Sequence, residues 1–106
     1  MAKFMVKASY STEGTRGLLK EGGSSRKAVV DKMIKALGGN VEAFYYAFGE
    51  TDVFVICDLP DPVTAAALSL AINASGAVST SMVPLLTVQE IDQACKKSVG
   101  YRAPGA

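Results

Sequence analysis

The sequence predicts an α+β fold: a four-stranded plait with elements in the order βαββαβ and a short extra helix at the C-terminus. Three observations lead there. Four runs rich in β-branched and aromatic residues lie at Lys3–Tyr10, Val41–Phe48, Thr51–Leu59 and Ala77–Leu86. Two segments between them carry apolar residues at helical spacing. Glycine and proline mark most of the boundaries.

Each element has its own justification. In the first strand Phe4, Val6, Ala8 and Tyr10 fall on one side, with Lys3, Met5, Lys7 and Ser9 on the other. Ser11 to Gly23 is interrupted by glycine and predicts one short helical turn, at Arg16 to Lys20. Ser24 or Ser25 can cap a longer helix, whose apolar stripe is Val29, Val30, Met33, Ile34 and Leu37 and whose stop is Gly38-Gly39. The second and third strands flank Gly49-Glu50, a pair that suits a type II′ turn. Asp61-Pro62 is an N-cap with proline at the first helical position, and that helix runs to Gly76. Pro84 marks the fourth strand as an edge or an irregular end. Thr87 and Glu90 form a capping box for a last helix to about Lys97. This order is the ferredoxin-like split βαβ. Residues 1–97 read as one domain and 98–106 as a tail, either loose or tied down by a neighbour.

Composition removes several function classes. The chain has 106 residues, 49% apolar and 20% charged, with a formal net charge of +1. That charge gives no electrostatic reason to expect nucleic acid or an acidic membrane as partner. With no histidine, two cysteines (Cys57 and Cys95) and no CxxC, neither a metal site nor a histidine-based catalytic triad is expected, and no cofactor. No signal peptide or spanning segment is evident, so the expectation is a soluble cytoplasmic protein with free thiols.

The hairpin YYAFGETDVFVICD, Tyr45 to Asp58, decides most of the functional reading. A two-residue turn pairs Phe48 with Thr51, Ala47 with Asp52 and Tyr45 with Phe54. One face then carries Phe44, Tyr46, Phe48, Val53 and Val55. The other carries Val41, Ala43, Tyr45, Ala47, Asp52, Phe54, Ile56 and Asp58. Both faces are largely apolar, and two helices cover only one. The other is left as an exposed apolar patch, which implies a homo-oligomer, a dimer or a multiple of dimers. On that second face Asp52, beside Tyr45, either holds a ligand or acts as a base, or it simply caps backbone donors of the turn. Lys7 and Ser9 belong to the set if their side of the first strand lines the same space. The candidate ligand-binding residues are therefore Lys7, Ser9, Tyr45 and Asp52, with Asp52 also the catalytic candidate.

Four segments, KASYSTEG, LGGNVEAFYYAFGETDVFVI, DLPDPVTAAALSLAINASGAV and LLTVQEIDQA, span most of residues 7 to 95. They resemble the GYD domain family, within the dimeric α/β-barrel superfamily. Gly49 and Asp52 match its Gly and Asp, while Thr51 stands where its Tyr is expected. The resemblance implies a ferredoxin-like fold and a dimer, and it supplies no catalytic residue. Related dimeric barrels include cofactor-independent monooxygenases, isomerases, haem enzymes and ligand-sensing domains, so the fold does not decide the function.

Elsewhere, LKEGGSSRKA (Leu18–Ala28) is either an anion site at a helix start or a hinge between two helical pieces. Asn73 bonds the last helical carbonyls or points to the mouth of the sheet. Cys57 reads as a core thiol and Cys95 as exposed and incidental. Tyr101 in the tail is a lid or part of a loose arm. The functional expectation is a domain that binds a small, partly apolar molecule between sheet and helices, in a sheet-face pocket, or serves as an assembly module. The alternative is a cofactor-independent enzyme, monooxygenase- or isomerase-like, with Asp52 as base and Tyr45 or Lys7 stabilising the anion.

Overall fold

The computed structural model describes all 106 residues. Its elements are β1 (Ala2–Tyr10), α1 (Thr12–Glu21), α2 (Gly23–Ala36), β2 (Asn40–Tyr46), β3 (Val53–Leu59), α3 (Pro62–Ala74), β4 (Val78–Leu85) and α4 (Val88–Cys95). The four strands form one antiparallel sheet in the order β2-β3-β1-β4, the ferredoxin-like plait. β4 is an edge strand, where Pro84 loses no ladder bond that matters.

The core lies on one face of the sheet. Phe4, Val6, Val53, Val55, Cys57 and Leu59 meet Ile34 of α2 and Ala65 and Leu68 of α3. β3 alternates strictly, Val53, Val55, Cys57 and Leu59 being at most 4% exposed while Phe54, Ile56 and Asp58 face the other way. Burial holds the Cys57 thiol protonated, its pKa pushed up to about 11. Cys57 is thus an inert core thiol, and Cys95 is exposed.

The expected hairpin register holds, with Tyr45 opposite Phe54 and Tyr46 opposite Val53. Its turn does not. β2 ends at Tyr46 and β3 starts at Val53, so Phe48 and Thr51 are not a strand pair. Gly49 lacks the positive φ that a type II′ turn demands at that position. Asp52 instead leans toward β1, its N–H donating to the Ala8 carbonyl at 2.9 Å. A bulge between Val41 and Ala43 also reverses one face assignment: Val41 packs against the core, not with Ala43 and Tyr45.

α1 is a full ten-residue helix and not the single turn at Arg16–Lys20 that its glycines suggest. The Ser11 hydroxyl accepts the Gly14 N–H at 3.1 Å and donates to the Ala77 carbonyl, which fixes the helix start. Gly14 is needed because a Cβ there would collide with the same carbonyl. Gly22, at φ 85°, ends α1 through its N–H to Leu18 and opens α2 without any serine cap. The Leu18–Ala28 segment thus joins two helices at Gly22, and the serine cap expected there is not formed.

α3 is capped as expected, Asp61 accepting the Thr64 N–H at 2.7 Å beside Pro62. At its far end Asn73 clamps β4, accepting the Thr80 N–H at 2.7 Å and donating to the Thr80 carbonyl at 3.3 Å. The Thr87–Glu90 capping box is complete, but every residue of α4 is exposed. From Thr87 onward the non-helical hydrogen bonds stay within four residues. The radius of gyration, 16.9 Å, exceeds the roughly 13 Å of a compact domain of this length because α4 and the tail project from the body.

The Asp61 cap carries a pH signature. Its hydrogen bonds to the Thr64 N–H hold the carboxyl below its ordinary value of 3.8. A lowered folded-state value stabilises above that ordinary value, and the gain disappears as pH falls through the folded value. Asp61→Ala is expected to lower the urea midpoint at pH 7. The gap between variant and wild type should close on acidification, as followed by circular dichroism.

Candidate functional site

The sheet has two unlike faces. The face opposite the helices is uncovered, and strand register arranges it in rows. Tyr45, Phe54, Lys7 and Ser81 form one row; Ala43, Ile56, Met5 and Val83 form the next; Asn40, Asp58, Lys3 and Leu85 form the third. The last row ends in charge: Lys3 Nζ contacts Glu42 at 2.7 Å and Asp58 at 3.1 Å. The hydrogen bonds to Glu42 and then Asp58 raise the Lys3 pKa. The bulge leaves Glu42 outside the ladder, next to this end.

Two of the four candidate residues, Lys7 and Tyr45, share a row. Tyr45 is 70% exposed, and Lys7 makes no ion pair. Ser9 lies one step beyond Lys7 on β1, its hydroxyl donating to the Glu50 carbonyl at 2.9 Å. Asp52 closes the top of the sheet: its Oδ2 accepts the Tyr10 N–H at 2.8 Å, and its carbonyl accepts the Ala47 N–H at 2.7 Å. No hydrogen bond links Asp52 to Tyr45 or to Lys7. The aspartate caps donors at the strand end, while Ser9 steadies the loop through Glu50.

On the helix side lies a second feature, lined by none of the candidate residues. α2 packs on β2, and α3 on β4 and β3, with Ile34 of α2 and Ala65 and Leu68 of α3 meeting over the core. Next to this contact is a cleft with a narrow apolar floor of about 40 Å³ between Val30, Met33, Phe44, Val55, Leu68 and Ile72. It widens under α1 to a mouth of about 420 Å³, bounded by Gly14, Gly17 and Glu13. Tyr10 and Arg26 line both parts. Nearby, Tyr46 donates its hydroxyl to the Gly23 carbonyl at 2.9 Å, and partial burial raises its pKa. None of Lys7, Ser9, Tyr45 or Asp52 lines this cleft. The sequence signal was present in Gly14 and Gly17, two glycines three residues apart in a segment that still forms a helix.

The fold and its faces define a small α+β plait domain with one covered and one open sheet face. The GYD domain family matches residues 4–95, and the chain belongs to that family. No curated protein and no solved structure matches the chain.

A structural cap and a chemical group respond differently to substitution at Asp52. Asp52→Ala strands the Tyr10 N–H and is expected to destabilise the fold by about 1 kcal/mol or somewhat more. Asp52→Asn keeps an acceptor oxygen and should recover most of that loss. Urea unfolding of the two variants and the parent provides the comparison.

Proposed function

We propose that this domain is a homo-oligomeric assembly module of the dimeric α/β-barrel kind, in which two copies bring their open sheet faces together. The observation that carries this reading is the pair of apolar surfaces left without a partner in one chain. One is the sheet face built on Met5, Ala43, Phe54, Ile56 and Val83. The other is the stripe Val88, Ile91 and Cys95 along the projecting α4, with Val88 80% and Ile91 47% exposed. A helix of this length gains little from its own hydrogen bonds in water and needs a surface to pack against.

Size supports using both surfaces together. The open face measures about 26 Å along β1 by about 15 Å across four strands, from strand rise and spacing. That is less than the roughly 800 Å² per partner of a stable interface. An arm laid on the second copy adds the missing area. Lys7 stands inside this seam as its one unpaired charge, and Asp92 on the arm brings an opposite one. A small, partly apolar molecule enclosed in the seam would find Lys7, Ser9 and Tyr45 as its polar anchors. Asp52 Oδ2 is engaged with the Tyr10 N–H, which favours assembly and binding over chemistry that takes Asp52 as base.

Sedimentation velocity tests the proposal. The parent protein is expected to run as a dimer or a multiple of dimers. Ile56→Glu, placed at the centre of the open face, should run as a monomer with an unchanged circular dichroism spectrum. A parent that stays monomeric at high concentration would refute the reading.

A further inference from the structure

We infer that the cleft between α2 and α3 is a binding site for an apolar carboxylic acid, with Arg26 receiving the carboxylate and the slot between the helices receiving the hydrocarbon. The site lies on the opposite face of the sheet from the proposed seam and does not depend on assembly.

Three observations converge. The first is shape. The floor is almost wholly apolar, and the mouth is of a size that takes a small organic molecule. The floor lies between Val30 and Met33 of α2 and Leu68 and Ile72 of α3, so a ligand's hydrocarbon would sit between the two helices.

The second is charge. Arg26 is the only cationic residue lining either part of the cleft, and it lines both. Its side chain is half-buried, yet it forms no ion pair and no side-chain hydrogen bond. Guanidinium is always charged, and its planar fork matches a carboxylate with two parallel hydrogen bonds. Glu13 and Glu21 stand on α1 at the outer rim only, and neither lies within ion-pair distance of Arg26. An anion is thus favoured at the inner position, and the rim acids select against ligands whose second charge is also negative. The Tyr10 ring, which also lines both parts, adds an aromatic wall next to the guanidinium.

The third is Gly17. It lies in the middle of α1, where glycine weakens a helix. Its backbone is ordinary, without positive φ, and a Cβ there would meet nothing within 4 Å. Folding therefore gives no reason for glycine at this position. It lines the mouth, and a larger side chain there would enter open space beside it. A glycine that costs the helix stability and leaves the entrance clear fits a site that must admit a ligand.

The test is NMR titration of the full chain with octanoate and, as an uncharged control, octanamide. Saturable octanoate shifts are expected at Val30, Leu68 and Ile72. Octanamide and the Arg26→Gln variant should each bind about tenfold more weakly or worse, as expected for loss of a charge-assisted hydrogen-bonded pair. Gly17→Leu should fold with a raised melting temperature and lose octanoate binding, which separates a blocked entrance from a damaged fold. The inference is overturned if octanoate gives no saturable shifts at millimolar concentration. It is equally overturned if the shifts gather on Met5 and Ile56 of the open face, or if Arg26→Gln and Gly17→Leu bind octanoate as the parent does. A monomeric parent that binds octanoate in the cleft would reject the assembly proposal and uphold this one.

Discussion

The structure depends on β3. It is an interior strand that pairs with both β1 and β2, and it is apolar on both sides. Alternation along a strand sends Val53, Val55, Cys57 and Leu59 one way and Phe54 and Ile56 the other. The first set is sealed by Ile34, Ala65 and Leu68, and this contact is the core. The second set has no cover within the chain. Both helical segments that could supply one, α2 and α3, reach the same face because each connection returns to the sheet on that side. One sheet, two apolar faces and a single layer of helices account for what else is unusual here: the small core, the uncovered face and the projecting α4.

Much of this was legible because it follows from period-two patterning. The faces of β1 and β3, the Tyr45–Phe54 register and the caps at Asp61 and Thr87 depend on local chemistry that a sequence displays directly. The errors came from competition that local patterns do not encode. VEAFYY alternates acceptably in either register, so the bulge that turns Val41 inward left no trace in it. Gly49-Glu50 has the composition of a tight turn. Asp52, however, bonds to β1 through both its N–H and its carboxylate, and that draws the strand end away from a two-residue loop. In α1 the glycines suggested a break. The Ser11 cap and the close approach of Gly14 to Ala77 overrule that propensity, since tertiary contacts outweigh about 1 kcal/mol per glycine.

The candidate site divides along the same line. Alternation fixes Tyr45 on the open face, and the strand order, which the sequence left undecided for Lys7, brings Lys7 into the same row. Ser9 donates to the Glu50 carbonyl and Asp52 accepts the Tyr10 N–H, backbone contacts that no spacing argument foretells. A site between sheet and helices was expected, but its lining was illegible because it joins two helices that are far apart in sequence. The two sides of the sheet thus offer different capacities. The open side is the one proposed to meet a second copy of the chain, through its sheet and α4. The helix side is the one proposed to take a small acid, through Arg26 and the apolar slot. Membership of the GYD domain family agrees with the fold and leaves both functional roles to be decided by these surfaces.

The central claim is that the open face is covered in solution by another copy. Methyl-detected relaxation with a soluble paramagnetic probe measures that cover directly. The account predicts that Met5, Ile56 and Val83 are shielded at high protein concentration and become accessible on dilution. Val63 and Leu70, exposed on α3, should be relaxed at every concentration. Equal relaxation of both sets at every concentration would contradict it.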